Sequence, residues 1–224
     1  MYTPIFNGSR HYGNNRWWMY SRKLCRAVHL QSNLEYQHCL LVEMDPEVVM
    51  YCEQPLRIQV QMDGRTVASI FDMWIKYRDT REEFVEIKYS SHIDLKNPRH
   101  DPRALIQITA QKIWCEQNGF MHSVRTEKTI RDNPILIENL RAMVPYLRQR
   151  SNPIDLDVHK LLTVIGDGSL TLKDLYRRLP ELSPARIHEG IAWLIYSGTI
   201  NGNYTCEKFG QHMVVWKNGC KKIV

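Results

Sequence analysis

The chain has 224 residues, 30 basic against 24 acidic side chains and 43% hydrophobic content, enough for one large domain or two small ones with a buried core. Its net charge of +6 and pI near 9.0 suit a nucleic-acid partner without requiring one. The polar start MYTPIFNGSRHYGNNRWW is not a signal peptide and no apolar run is long enough to span a bilayer, so a cytoplasmic protein without a membrane partner is expected. Cysteines 25, 39, 52, 115, 206 and 220 contain no C-x-x-C pair and read as reduced thiols.

Residues 1–34 hold no acidic residue. Arg10, Arg16, Arg22, Lys23 and Arg26 are interleaved there with Tyr2, Tyr12, Trp17, Trp18 and Tyr20. Residues 1–30 therefore read as a basic aromatic arm, suited to phosphate contact with stacking, or to packing its tryptophans on the domain that follows. A helix is predicted from Ser32, with Leu34, His38 and Leu41 on one stripe and a stop at Asp45-Pro46. Leu56, Ile58, Val60 and Met62 alternate as in a strand. Asp63-Gly64 turns the chain into a strand from Arg65 to Tyr77, and a third strand runs from Glu83 to Tyr89. A polar loop, His92 to Arg103, leads to Asp101-Pro102, a cap and first helical residue, and Gly119 ends that helix. A short strand from Phe120 to Thr126 and a helix from Ile135 to Leu147 complete an α/β domain over 31–150. Ser151-Asn152-Pro153 marks a boundary. In 151–224, helices at Asp155–Val164, Thr171–Leu179 and Pro184–Tyr196 precede a hairpin in which Asn201-Gly202 joins Thr199-Ile200 to Tyr204 and Met213–Trp216, the outline of a winged helix.

Asp72 lies inside the apolar run Ser69-Ile70-Phe71-Asp72-Met73-Trp74, where a carboxylate is costly unless paired. In Phe84-Val85-Glu86-Ile87-Lys88-Tyr89, strand alternation puts Glu86 and Lys88 on one face. If the two strands are neighbours, Asp72 and Glu86 converge, with Lys88 one step away. Two carboxylates and a main-chain carbonyl, here that of Ile87, can hold Mg²⁺, with Mn²⁺ as a substitute. Such an ion polarises a phosphate and acidifies bound water. Lys88 can orient that water, neutralise developing charge or act as a base. The same three residues also suit a solvated salt bridge. Ser32-Asn33-Leu34-Glu35 fits a capping box, which accounts for Glu35 without a metal.

The ordered set Ser32-Asn33-Leu34-Glu35, Glu53-Gln54-Pro55, Phe71-Asp72, Val85-Glu86-Ile87-Lys88 and Thr126-Glu127-Lys128 resembles the TnsA endonuclease, which cuts the 5′ ends of transposons in heteromeric cut-and-paste transposases. The resemblance covers roughly Ser32 to Arg150, and the winged-helix outline agrees with it. It implies a restriction-endonuclease-like PD-(D/E)xK core in 31–150. It also implies catalytic residues Glu35, Asp72, Glu86 and Lys88, with metal held by Glu35, Asp72, Glu86 and the Ile87 carbonyl. Some members carry Gln where this chain has Glu86. The implied partners are transposon-end DNA, a TnsB-like DDE transposase and a TnsC-like AAA+ ATPase met through the C-terminal domain. CRISPR-associated transposons are among such systems.

Arg16, Arg22, Lys23, Arg26 and Lys112 are the candidate DNA contacts. Gln111, like Lys112, sits on a helix that either meets the phosphate backbone or simply faces water. His92 and His100 are loop residues with a backbone or near-metal role as the sharper alternative. Glu127 reads as a structural ion-pair partner. The third C-terminal helix offers Arg186 and His188 but also Glu189, a thin base-reading face. Protein docking is therefore expected of that domain, with backbone contact open to Lys217, Lys221 and Lys222. Trp193, Tyr196 and Trp216 are assigned to its core. Two rival functions stand beside the transposition nuclease: a stand-alone restriction or repair nuclease, which would cut specifically by itself, and a non-catalytic DNA-binding adaptor, indifferent to Asp72→Ala.

Overall fold

In a computed structural model, residues 2–5, 15–148 and 154–219 are described. Arg10, Tyr12, the Ser151-Asn152-Pro153 boundary, Cys220, Lys221 and Lys222 lie outside them. The chain forms two units, Met1–Val42 with Glu47–Asp132, and Glu43–Pro46 with Asn133–Val224. The helix after Asn133, expected to close the first domain, thus groups with the second. Among the described residues no helix is long and apolar enough to cross a membrane.

The first unit opens with an antiparallel hairpin, β1 (Trp17–Ser21) and β2 (Arg26–Leu30), inside what the sequence suggests is an arm. Met19, Val28 and Leu30 are buried while Trp18 and His29 face outward, so alternation gives the hairpin a core face. Helix α1 (Asn33–Met44) follows, with Leu34, His38 and Leu40 buried. Next come β3 (Val48–Glu53), the hairpin β4 (Arg57–Met62) and β5 (Arg65–Ile70), then β6 (Met73–Tyr77) and β7 (Glu82–Ile87). A short α2 (Ser90–Ile93) occupies part of the expected loop. Helix α3 (Pro102–Asn118) is capped by the Asp101 side chain and ended by Gly119 at φ 74°. β8 (Met121–Arg125) and α4 (Glu127–Ile130) complete the unit.

The strand expected from Arg65 to Tyr77 is two strands. β5 pairs only with β4, whereas β6 lies in a four-stranded sheet ordered β3-β6-β7-β8. The chain changes partners at Phe71-Asp72: Phe71 N–H donates to the Leu56 carbonyl (3.3 Å) and Asp72 N–H to that of Val85 (3.2 Å). Asp72 therefore stands at a corner between two sheets, not in mid-strand. β7 and β8 are parallel, joined through α3 as a parallel pair requires. Beneath the sheet, Phe71, Trp74 and Phe84 pack with Trp114 and Phe120 of the α3 side, the Phe71 and Phe84 rings 4.5 Å apart. This apolar block fixes the corner.

The second unit contains α5 (Pro134–Leu147), α6 (Asp155–Ile165), β9 (Ser169–Thr171), α7 (Leu172–Arg178), α8 (Pro184–Tyr196), β10 (Ile200–Gly202) and β11 (Val214–Lys217). The three strands pair in the order β10-β11-β9, all antiparallel. Asn201-Gly202 is not a turn but part of β10. A Cβ on Gly202 would meet Met213 Cε at 2.8 Å and the Val214 carbonyl at 2.9 Å, so glycine serves close approach there. Buried Asn139 of α5 instead pins the intervening loop, donating to the Tyr204 and Glu207 carbonyls and accepting from Phe209 N–H.

Candidate active site

Asp72, Glu86 and Lys88 come together at the β5–β6 corner and the end of β7. Asp72 Oδ2 accepts the Ile87 N–H at 2.7 Å. Lys88 Nζ sits 2.5 Å from Glu86 Oε1, and Glu86 is fully buried. Register explains the meeting: Met73 pairs with Val85, so the residue before β6 lies level with the end of β7. The Asp72 carbonyl also accepts the Gln54 N–H (2.9 Å), tying β3 to the same corner.

Glu35 is reached from α1. Its Oε2 accepts the Gln31 N–H (3.0 Å), and its own N–H donates to Ser32 Oγ (3.1 Å). The helix N-terminus is thus capped by Ser32, with Glu35 reaching back toward the preceding backbone, close to the capping-box expectation. The same carboxylate feels Asp72: burial first, then repulsion from Asp72, pushes its pKa up to about 7. Burial and Asp72 likewise push Glu86 up to about 8, against the pull of Lys88 and Gln111. Burial raises Asp72 too, with Lys88 and the Ile87 N–H opposing it. Burial alone would lower Lys88, but Glu86 and Asp72 outweigh it, so Lys88 stays above its ordinary value and is an ammonium. An ammonium held there can neutralise charge on a phosphate or orient water.

Three carboxylates share one lysine and resist ionisation together, a donor set that lacks positive charge and is made of the hard oxygens a divalent cation takes. By this measure the residues fit such an ion. Among the described residues, however, no three His, Cys, Asp or Glu side chains are grouped as a metal cluster. Each carboxylate is turned to a donor of its own, Glu35 to the Gln31 N–H, Asp72 to the Ile87 N–H and Glu86 to Lys88, while Glu35 and Glu86 both feel the charge of Asp72.

Two further residues complete the site. Gln107 Nε2 donates to Glu86 Oε1 (2.8 Å), and buried Gln111 Nε2 donates to Glu86 Oε2 (2.6 Å) and Ser69 Oγ (2.9 Å). Gln111 Oε1 in turn lies 3.3 Å from His122 Nε2. Gln111 is therefore neither a phosphate contact nor a solvated residue. The i, i+4 spacing of Gln107 and Gln111 was the available signal, since it puts two amides on one helix face.

The other candidates divide. Arg16 is exposed, and Lys112 is exposed with a loose ion pair to Glu116 (3.8 Å). Arg22 is half-buried. Lys23 Nζ donates to the Val48 carbonyl (2.5 Å). Arg26 is paired with buried Glu53 through two 2.6 Å bonds. Glu127 accepts from Ser90 N–H and Ser90 Oγ, holding the start of α2 by hydrogen bonds rather than an ion pair. His92 packs on Tyr89, and His100 Nδ1 lies 3.0 Å from the Asn97 carbonyl. In the second unit, Arg186 forms a bidentate pair with Asp157 (2.7 and 2.6 Å), and His188 sits between the Tyr146 and Tyr176 hydroxyls. Neither is disposed for base reading.

Residues 45–127 match the family model described as TnsA-like endonuclease N terminal. Over this segment the chain is similar to that family. The matched stretch holds Asp72, Glu86 and Lys88 together with Gln107 and Gln111, while Glu35 precedes it. At the level of that family, the TnsA-like segment supports an endonuclease of transposition. No curated protein matches the chain.

Proposed function

We propose that this chain cleaves the 5′ ends of a transposon during cut-and-paste transposition, acting on transposon-end DNA beside a TnsB-like DDE transposase. The observation that carries the reading is the corner itself: Asp72 on the Ile87 N–H, and Glu86 on Lys88, inside the TnsA-like segment. A PD-(D/E)xK nuclease core needs an acid beside a neighbouring acid-x-lysine strand, and Asp72 just before β6, level with Glu86 at the end of β7, supports that reading. Asp72, Glu86, the Ile87 carbonyl and Glu35 would hold Mg²⁺, with Mn²⁺ as a substitute. When bound, such an ion polarises the scissile phosphate and acidifies water.

The chain's own residues supply the rest. The Lys88 ammonium neutralises charge on a phosphate entering the corner. Gln107 and Gln111 fix both oxygens of Glu86, so the carboxylate is presented in one orientation. The aromatic block around Phe71 anchors the residue next to Asp72 at the corner. The second unit has the order α6, β9, α7, α8, β10, β11 with a three-stranded antiparallel sheet, and this supports the winged-helix reading. Because Arg186 is engaged with Asp157, that unit suits docking to a TnsC-like AAA+ partner better than base reading.

The test is strand-specific nicking of end-labelled transposon-end DNA in the presence of the neighbouring transposase. Wild type with Mg²⁺ should nick the 5′ ends. Asp72→Ala and Lys88→Ala should leave only the partner's 3′ cuts. Retained 5′ nicking in both variants would refute the assignment, and specific cutting without the partner would favour a stand-alone nuclease.

A further inference from the structure

Beside the corner, a cavity of about 350 Å³ opens beneath the β1–β2 hairpin, within the size range of small-ligand sites. Trp18, 63% exposed, stands at it with its cross-strand neighbour His29, ring centroids 6.0 Å apart. Trp17 is already used: it stacks on Tyr36 at 4.3 Å and donates to Asn33 Oδ1. Trp18 has no such stack among the contacts of the described residues. A large exposed indole beside a cavity is a ready platform for a flat partner.

The charge and polarity of the lining narrow the partner. Arg16 and Arg26 contribute to the wall, and its one carboxylate, Glu53, is held by Arg26. Gln31 and Gln54 add amides able to donate and accept toward the edge of a heterocycle. Gln54 holds φ at 42°, an unusual backbone for a residue with a side chain, and is fixed by the Ile5 N–H on its carbonyl (2.8 Å) and by its own N–H on the Asp72 carbonyl. Two of the lining residues are bonded to residues of the corner through their backbone N–H groups: Gln54 to the Asp72 main-chain carbonyl and Gln31 to the Glu35 carboxylate.

We propose that the cavity is a nucleobase site. It receives one unpaired base of the DNA strand next to the cut phosphate, stacked on Trp18, with Arg16 near the adjoining phosphate. The inference rests on the nuclease reading for its strand, but its test does not depend on cleavage.

The full chain is titrated in EDTA into a short fluorescein-labelled oligothymidylate and into a duplex of equal length, followed by anisotropy. Trp18→Ala should weaken single-strand binding roughly 10-fold, the scale of one lost base stack, with duplex binding little changed. Trp18→Phe should restore affinity to within about two-fold, because phenyl also stacks. An oligonucleotide bearing 5-iodouracil should photo-crosslink within Asn15–Leu30. Unchanged affinity in Trp18→Ala, equal losses on duplex and single strand, or no single-strand binding by wild type would each overturn the site. Absence of 5′ nicking by wild type, with these binding effects present, would instead overturn the nuclease reading alone.

Discussion

Glu35→Gln separates stability from function in a way that tests the electrostatics of the corner. Burial and Asp72 push the Glu35 carboxyl from 4.5 up to about 7. A raised folded-state value means the folded chain holds a proton that the unfolded chain has released. The stability belonging to the protonated form is full below the unfolded value and is lost as pH rises through about 7. At about 1.4 kcal/mol per unit, roughly 2.5 units amount to a penalty on the order of 3 kcal/mol at pH 8. Gln keeps the acceptor for the Gln31 N–H and leaves the Ser32 cap untouched, so it removes the charge and little else. Urea unfolding in EDTA should show Glu35→Gln about equal to wild type near pH 5 and more stable by about 2–3 kcal/mol near pH 8. Nicking should nevertheless fall sharply. A variant less stable than wild type at both pH values would show that Glu35 is a comfortable helix cap, not a strained member of the site.

Three other outcomes are expected. Gln111→Leu removes a buried donor from Glu86 and Ser69, and should cost about 1–3 kcal/mol in urea unfolding while lowering the nicking rate. His38 is buried with Nδ1 unpartnered and is held down to about 4 by burial and by Arg125. Its unfolded form gains a proton first, so wild-type stability should decline as pH falls from about 6.5 toward 4, by on the order of 3 kcal/mol. His38→Leu should flatten that slope, and an unchanged slope would refute the attribution. Arg26→Ala leaves buried Glu53 without its partner and should destabilise the fold by about 3 kcal/mol, with a loss of Tm rather than a simple change in the salt dependence of DNA binding.

Elements with local punctuation were legible in the sequence. Asp101-Pro102 and Gly119 bound α3, Ser183-Pro184 starts α8, and Asp63-Gly64, with φ of 51° and 73°, makes the β4–β5 turn. Hidden elements lacked it. The β1–β2 turn ends in Cys25 at φ 52°, with neither Gly nor Asn to announce it. The break at Asp72 carries no Gly or Pro because it is made by a change of pairing partner, a tertiary event. Asn201-Gly202 misled for the opposite reason: its glycine answers to Met213 and Val214, not to a turn. The acid-x-lysine strand was readable from alternation, whereas the commitment of Arg26 to Glu53, and of Gln111 to Glu86, depends on residues 27 and 25 positions away.

The most direct measurement of the central claim is product structure in a donor-to-target transposition assay with the neighbouring transposase genes and either wild type or Asp72→Ala. Cutting the 5′ ends frees the element from its donor. Wild type should yield simple insertions, and Asp72→Ala, with 3′ joining intact, should yield donor–target cointegrates. Simple insertions from Asp72→Ala would contradict the account and return Asp72 to a structural role at the corner of its two sheets.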